Sequence, residues 1–206
     1  LPLAVGLALS DTMLDRRGVT VALFGDGAFA EGEFHESVNL AALWHLPVLF
    51  ACENNLYAMG TALAKSHAVT DLALRAASYG ISSWAVDGMD AEAVESAAGR
   101  ALDRVRNGGG PVFLELRTYR FRAHSMYDPD RYRDKAEVAA WRERDPVELL
   151  ARRMTEAGEL TDADRAALVA EVTAELDAAV AAAEAAPLED VADLTRFVHS
   201  ETGAGS

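Results

Sequence analysis

The stretch VTVALFGDGAFAEGEF, residues 19–34, contains the step on which the predicted fold depends. Its first six residues are apolar or β-branched, as is typical of a buried strand, and Gly-Asp-Gly follows them. The acids Glu31 and Glu33 favour the first turn of a helix, because they complement the positive end of its dipole. A strand that leads through a glycine-rich turn into a helix is typical of α/β proteins with a parallel sheet.

The same alternation of strand and helix continues on both sides of this stretch. Strands separated by helices pair in parallel, which predicts an α/β fold with an open, mostly parallel sheet covered by helices. The predicted strands are Val19–Phe24, Val48–Ala51, Trp84–Val86 and Val112–Leu116, and the predicted helices lie near Leu3–Leu14, Glu31–Trp44, Asp71–Tyr79 and Ala91–Val105.

The pattern changes in the second half of the chain. Residues 119–133 are rich in Arg, Tyr and Asp-Pro and have no period, which predicts a functional or mobile loop. From Val147 onward the sequence is helical in character, so we expect two domains: an α/β ligand-binding domain at 1–145 and a helical C-terminal extension at 146–206. Thr161 with Asp164 resembles a helix-capping box. An apolar stripe on the helix that follows favours packing over a partner surface; it consists of Leu168, Val172, Leu176 and Val180.

Composition limits the classes of partner. A net charge of −14 repels phosphate backbones and anionic lipids, so neither nucleic acid nor a membrane is expected to bind.

The single cysteine, Cys52, lies in an apolar run and is interpreted as a packed thiol in a reducing compartment. The chain begins inside an apolar pattern without a methionine, which suggests the later part of a longer polypeptide. Two lysines against seventeen arginines suggest a bacterium with a GC-rich genome, and therefore the cytoplasm rather than the mitochondrial matrix.

The residues around Asp26 indicate a bound cation. Ligands of parallel α/β sheets bind beyond the carboxyl ends of the strands, where glycines allow close approach and a helix start attracts anions. A lone carboxylate at 26 would repel such an anion unless a divalent cation lay between them. Magnesium needs further oxygen ligands, and the next strand ends in Asn54-Asn55. The ends of neighbouring parallel strands would bring Asp26 and Asn55 together.

These residues also carry a resemblance to a known family. Gly-Asp-Gly, 26 residues and then Asn-Asn resembles the thiamine diphosphate motif. NLAALWHLPVLFACENNLYAMGT at 39–61 and TYRFRAHSMYDPDRYR at 118–133 are similar to the alpha subunit of thiamine diphosphate-dependent 2-oxo acid dehydrogenases of the pyruvate and acetoin type. The resemblance extends from Leu1 to about Leu150, implies the thiamine diphosphate-binding fold, and suggests a C-terminal portion of that subunit.

The resemblance implies roles for particular residues. Asp26 and Asn55 would bind Mg²⁺ through side-chain oxygens, and Tyr57 would bind it through its carbonyl. Gly27 and Ala28 would donate backbone N–H groups to the diphosphate. His124 would reach the diphosphate near the reacting carbon and is the predicted catalytic residue. Ser125 matches a serine that kinases phosphorylate in mitochondrial relatives.

The resemblance also implies an activity and partners. The expected reaction is the oxidative decarboxylation of a 2-oxo acid, most specifically pyruvate, with transfer of the acyl unit to a lipoyl group on a separate acyltransferase core. The chain would act only with a beta subunit, in an alpha-two beta-two heterotetramer. Alternatives are an acetoin or branched-chain 2-oxo acid dehydrogenase, a transketolase-like enzyme and a non-catalytic assembly partner. The single histidine of Arg-Ala-His-Ser-Met favours pyruvate or acetoin over branched-chain substrates.

Other polar residues are expected to be structural. No metal-ligand spacing links the remaining histidines, His35, His45, His67 and His199. The arginines of the aperiodic segment are expected to be solvated or paired with its aspartates; they are Arg120, Arg122, Arg131 and Arg133.

Overall fold

The computed structural model describes residues 1–196 and residue 198, and it contains the predicted parallel sheet. Four parallel strands lie in the order β1-β2-β6-β5. They are β1 (Thr20–Gly25), β2 (Val48–Asn54), β5 (Ser82–Asp87) and β6 (Val112–Arg117). A short antiparallel hairpin that was not predicted, β3 (Tyr57–Ala58) with β4 (Thr61–Ala62), follows β2.

Helices connect the strands and continue beyond them. Residues 119–133 contain no helix or strand, as predicted. The helices are α1 (Pro2–Met13), α2 (Asp26–Phe29), α3 (Gly32–Leu43), α4 (Leu63–Ser66), α5 (Leu72–Ala77), α6 (Ala91–Arg106), α7 (Lys135–Arg142), α8 (Pro146–Glu156) and α9 (Asp162–Ala185), with a 3-10 turn at Val191–Asp193.

The two faces of the sheet are buried by different helices. Side chains alternate between faces along a strand, so Phe50 and Phe113 join one core together with Phe34 and Val38 of α3. Residues of β2 and β6 that point the other way form a second core with α6, through Leu49, Val112, Leu114, Ala101 and Val105. Cys52 lies in the first core, and burial raises its pKa, which confirms a packed thiol.

A third, aromatic cluster lies beyond the carboxyl ends of the strands. Its buried members are Tyr57, Met89 and Tyr119, and the rings of Tyr119 and Trp141 stack with their centroids 5.2 Å apart. Trp141 belongs to α7, a helix that was not predicted. The cluster therefore joins the hairpin and the start of the 119–133 segment at the edge of the sheet where the candidate site lies.

The main departure from the predicted elements occurs at the end of β1. The strand does not lead directly into a helix near Glu31, because the short helix α2 occupies residues 26–29 and α3 begins only at Gly32. Asp26, Gly27 and Ala28 therefore lie in a helical turn rather than in an open loop. Strand β2 also extends three residues beyond the predicted end, to Asn54, so the two asparagines stand directly at the edge.

The chain divides into two units, Leu1–Arg153 and Met154–Ser206. This division lies within α8 and thus later than the predicted boundary between 145 and 146. Helix α9 begins with the predicted capping box, in which Asp164 N–H donates to the Thr161 side chain at 3.2 Å. Residues 157–161 and 186–190 are not helical, so the region after 147 is interrupted. No described helix is long and apolar enough to cross a membrane.

The apolar stripe of α9 does not pack as predicted. Its four side chains are 54–61% exposed, and α9 has no buried residue. The prediction of a packed stripe is therefore wrong for the part of the chain that the structure describes.

Candidate functional site

The carboxylate of Asp26, directly after β1, is buried away from water. Asp26 is the first residue of α2, is 2% exposed, and its Oδ2 atom has no hydrogen-bond partner among residues 1–196. Desolvation raises the pKa of Asp26, and the backbone N–H groups of Asp26 and Asn55 oppose that rise. Positive charge on Arg120 opposes it further. A buried carboxylate oxygen without a donor is suited to bind a cation.

The two glycines beside Asp26 have different structural reasons. Gly25 is extended, with φ −84° and ψ 167°, a conformation open to any residue, and an added Cβ there would meet only a carbonyl 4.0 Å away. A Cβ on Gly27 would lie 2.9 Å from the Cβ of Ala58 in β3. The backbone at the end of β1 therefore needs no glycine at 25, whereas glycine at 27 lets α2 approach the hairpin.

The end of β2 forms a tight turn beside Asp26. Strands β1 and β2 pair in register from Thr20 with Val48 to Gly25 with Glu53, so their ends are neighbours, as the sequence predicts. Asn55 Oδ1 accepts from the N–H of Tyr57 at 3.1 Å, and its own N–H faces the Asp26 carboxylate. The structure thus brings Asp26 and Asn55 together.

Tyr57 is the first residue of the hairpin that follows this turn. Its side chain is buried, and its hydroxyl donates to Glu137 of α7 at 3.0 and 3.2 Å from the two carboxylate oxygens. Burial, followed by the Glu137 hydrogen bond, raises the pKa of Tyr57 to about 12. The aromatic side chain is therefore structural, and only the backbone of Tyr57 remains available for the predicted cation site.

His124 is connected to this edge through Arg120. The Arg120 guanidinium donates to His124 Nδ1 at 3.3 Å, to the Met59 carbonyl at 2.8 Å and to the Tyr132 hydroxyl at 3.0 Å. His124 itself is exposed. Because arginine can only donate, Nδ1 accepts and a neutral His124 carries its proton on Nε2. Arg120 thus links the predicted catalytic residue to the hairpin and places positive charge near Asp26.

The rest of the 119–133 segment is held by its own polar contacts. Asp128 accepts from the His124 N–H at 3.0 Å and from the Tyr132 hydroxyl at 2.8 Å. The Asp130 N–H and then the Tyr132 hydroxyl hold the pKa of Asp128 below its ordinary value. Arg133 pairs with Asp130 at 2.7 Å and is buried, so the expectation of pairing is confirmed there. Ser125 lies at the exposed tip between these contacts.

The remaining histidines differ in how far they are from this site. His35 hydrogen-bonds the Tyr79 hydroxyl at 2.6 Å, and His45 bonds the Gly108 carbonyl at 2.9 Å, so both are structural as predicted. His67 is buried, bonds Arg75 through Nδ1, and has no partner at Nε2 among residues 1–196. The side chain of His67 is close enough to act electrostatically on Asp26, so sequence reasoning missed a neighbour of the site. His199 lies outside the described residues.

Two further residues of this edge were not predicted to support the site: Glu115, and Asn54, which was noted only as the first residue of the Asn-Asn pair. Both are buried, and Asn54 Nδ2 donates to Glu115 Oε1 at 2.8 Å. An acid inside the apolar strand VFLELR was the available signal, because ionisable groups are rarely buried without a specific partner.

No group of three or more His, Cys, Asp and Glu side chains gathers around a possible metal position in the described part of the chain. The Asp26–Asn55 edge provides one carboxylate, with amide and backbone oxygens beside it. That donor set suits a hard cation such as Mg²⁺, which takes one or two protein carboxylates and completes its shell with phosphate and water. A separate cleft of about 420 Å³ at the opposite edge of the sheet is lined by Arg16, Arg17, His45 and Arg106 and contains none of the predicted site residues.

Comparison with known proteins identifies the family. The family model described as dehydrogenase E1 component matches residues 1–192. The chain belongs to this family. The resemblance stated from the motifs is thereby confirmed at the level of the family.

Relatives in the dehydrogenase E1 family share the name pyruvate dehydrogenase E1 component subunit alpha. The Rhizobium meliloti protein is 44% identical over 93% of this chain and 56% of its own length. The Rickettsia conorii protein is 39% identical over 96% and 61%, and the Zymomonas mobilis protein is 43% identical over 91% and 53%. The chain therefore spans little more than half the length of these relatives.

A solved structure from Mycobacterium smegmatis, described as a thiamin diphosphate-dependent enzyme, is also similar. It is 28% identical, with a TM-score of 0.47, over 58% of this chain and 22% of that chain.

Proposed function

We propose that this chain is the part of a pyruvate dehydrogenase alpha subunit that holds the magnesium and diphosphate end of thiamine diphosphate. The observation that carries the proposal is the buried, unpartnered Oδ2 of Asp26, directly beside the Asn55 turn. A cation at this edge would bind that oxygen, and its charge would offset the repulsion between the carboxylate and a diphosphate. The names of the E1 relatives from three bacteria support pyruvate as the substrate.

Each predicted site residue has a place in this proposal. Asp26, Asn55 and the Tyr57 carbonyl would supply three oxygen ligands to Mg²⁺, leaving three positions for diphosphate oxygens and water. Gly27 and Ala28 would offer the N–H groups of α2 to the diphosphate. Four-residue α2 is short, so this contribution depends on individual N–H groups rather than on a long helix dipole.

His124 would act beside the diphosphate. Arg120 and Asp128 fix its ring and its backbone, and the neutral ring holds a proton on Nε2 that can be donated or shared. When bound, thiamine diphosphate supplies the carbanion that adds to the oxo group and the electron sink for decarboxylation. The protein residues would orient that group, donate N–H groups to its diphosphate and hold the proton at His124.

The proposal also includes partners. A beta subunit, in an alpha-two beta-two heterotetramer, would complete the cofactor site, and a lipoyl domain of the acyltransferase core would accept the acyl unit. The name of the E1 relatives, subunit alpha, supports a second type of subunit. We therefore expect this chain alone to lack pyruvate turnover. The bacterial relatives and the arginine-rich composition favour the cytoplasm.

A calorimetric titration tests the proposal. Thiamine diphosphate is titrated, with and without Mg²⁺, into the full-length alpha chain mixed with its beta partner. We expect Mg²⁺-dependent binding that Asp26→Ala removes, with an affinity loss greater than about 100-fold, because loss of indirect supports of a metal alone costs 10–100-fold. Glu53→Ala is the matched control, since Glu53 is an exposed carboxylate at the end of the neighbouring strand.

Two results would contradict the proposal. Absence of Mg²⁺-dependent binding in the parent complex would favour a non-catalytic assembly partner. Undiminished binding by Asp26→Ala would move the cofactor away from the end of β1. Assays with acetoin, branched-chain 2-oxo acids and sugar phosphates then separate pyruvate dehydrogenase from the other thiamine diphosphate enzymes.

A further inference from the structure

Glu115 is a buried carboxylate that has a donor on every side. None of its surface is exposed. Oε1 accepts from Asn54 Nδ2 at 2.8 Å and from Arg117 Nε at 3.1 Å, and Oε2 accepts from the Ala73 N–H at 3.1 Å and from Arg117 Nη2 at 3.3 Å. A buried charge is retained only when it is paired and hydrogen-bonded, and Arg117 supplies both conditions. The carboxylate is therefore a fixed acceptor inside the sheet.

This fixed acceptor determines which way the Asn54 amide points. An ionised carboxylate only accepts hydrogen bonds, so Asn54 must present its NH₂ group to Glu115. The Asn54 oxygen then points to the opposite side, where it accepts from the Leu56 N–H at 3.2 Å. Asn54 is 2% exposed, so water does not provide an alternative partner for either end of the amide.

The Asn54 oxygen stabilises a backbone conformation that costs energy. Leu56 has φ +72°, in the left-handed region that L-residues other than Asn and Asp rarely adopt. Leu56 lies between Asn55 and Tyr57, so its conformation sets the direction of both. In the observed turn the Asn55 N–H faces Asp26 and Asn55 Oδ1 caps the Tyr57 N–H.

We propose that Glu115 is a positioning residue for the cation site: it orients Asn54, and Asn54 holds the left-handed turn that places Asn55 and Tyr57 opposite Asp26. The proposal rests on the proposed function for its cation, but the turn itself is a property of this chain. Glu115 makes no contact with the proposed cation ligands and acts only through Asn54.

The experiment compares three variants with one control. Glu115→Gln keeps the shape of the side chain but replaces an acceptor oxygen by NH₂. This buried NH₂ group would then face another donor, the Asn54 NH₂ group or the Ala73 N–H. Asn54→Ala removes the amide, and the double variant tests whether both act by one route. Ser83→Ala is the matched control: the Ser83 hydroxyl donates to the carbonyl of Ala73, the residue whose N–H Glu115 holds, without contacting Asn54.

The first readout needs no cofactor. Amide hydrogen exchange is measured on the peptide that covers residues 54–58 in this chain. We expect about ten-fold faster exchange of the Leu56 and Tyr57 N–H groups in Glu115→Gln and in Asn54→Ala, no further increase in the double variant, and no change in Ser83→Ala. Unchanged exchange in Glu115→Gln, or additive effects in the double variant, would overturn the proposed role.

The second readout is the Mg²⁺ concentration at half-saturation of thiamine diphosphate binding, in the full-length alpha chain with its beta partner. Each single variant should raise it about ten-fold or more, and Ser83→Ala should leave it within about two-fold. Faster exchange in Glu115→Gln with an unchanged Mg²⁺ requirement would overturn the positioning role. If the parent complex binds no cofactor, the proposed function fails, and the exchange experiment still decides whether Glu115 holds the turn.

Discussion

The carboxyl edge of the sheet holds two buried carboxylates, and the structure treats them in opposite ways. Glu115, near the end of β6, has four hydrogen bonds to its two oxygens. Asp26, just after β1, is as well shielded from water but leaves Oδ2 without a partner in the described part of the chain. One carboxylate is therefore saturated by its own chain, and the other retains capacity for a group that the chain does not supply.

This difference separates a structural acid from a ligand-binding acid more clearly than burial does. A saturated carboxylate contributes to the folded state, and its removal leaves its donors unsatisfied. An unsaturated one costs folding free energy that a ligand can recover. Substitutions of Glu115 and of Asp26 should consequently change the unfolding free energy with opposite sign.

The largest effect is expected at Glu115, the carboxylate whose hydrogen bonds are all made within the chain. Glu115→Ala leaves the buried Asn54 amide and the Ala73 N–H without an acceptor and leaves the half-exposed Arg117 with Asp71 at 3.7 Å, and we expect a loss of about 3–5 kcal/mol in unfolding free energy. Urea unfolding followed by tryptophan fluorescence is the appropriate measurement, because the three tryptophans of the chain, at 44, 84 and 141, all lie in the unit Leu1–Arg153. Glu53→Ala, which removes an exposed carboxylate, should change stability by less than about 0.5 kcal/mol. A loss below about 1 kcal/mol for Glu115→Ala would contradict the comparison.

Gly27→Ala tests how closely α2, the short helix that begins with Asp26, packs against the hairpin. The added Cβ would lie 2.9 Å from the Ala58 Cβ, so α2 and β3 must separate, and we expect a loss of about 1–3 kcal/mol. Gly32→Ala is the matched control, because no atom lies within 4 Å of its added Cβ and alanine favours α3, with a gain of about 0.4–1 kcal/mol. Ala58→Gly should restore much of the stability of Gly27→Ala. Failure of this rescue would show that steric contact with the hairpin is not the reason for glycine at 27.

The surroundings of Asp26 and of Glu115 also differ in how far the sequence predicts them. The positions of Asp26 and Asn55 follow from local rules, because apolar runs show where parallel strands end and such ends are neighbours. Glu115 contacts residues 61 and 42 positions away in sequence, and no local pattern links it to Asn54 or Ala73. Helix α2 and the hairpin were missed for a related reason. Each is so short that its stability comes from packing between Gly27 and Ala58 rather than from periodicity.

A smaller effect, of opposite sign, is expected at Asp26. Asp26→Asn removes a desolvated charge and should raise the unfolding free energy of the metal-free chain by about 0.5–2 kcal/mol. The same variant should gain nothing from Mg²⁺ and thiamine diphosphate in the full complex, whereas the parent should be stabilised by them. Melting temperatures with and without both ligands give the two comparisons. A metal-free Asp26→Asn variant that is less stable than the parent would mean that the chain satisfies this carboxylate after all.

The smallest effect is expected at a third carboxylate, Asp90, which has partners but is only partly buried, as is its partner Arg153. Asp90 caps α6 through the Ala93 N–H and accepts from Arg153 of α8 at 2.8 and 2.9 Å. The Arg153 hydrogen bonds hold the pKa of Asp90 below its ordinary value, so their stabilisation is present above the ordinary carboxyl pKa of about 4 and is lost as the pH falls through the lowered value. Arg153→Gln should therefore lower the melting temperature slightly at pH 7, and the difference from the parent should vanish in strong acid. Arg152→Gln, at the exposed neighbouring position, should show no such pH-dependent difference. An equally large effect of Arg153→Gln and Glu115→Ala would mean that the number of hydrogen bonds, and not burial, sets the stability that a paired carboxylate contributes.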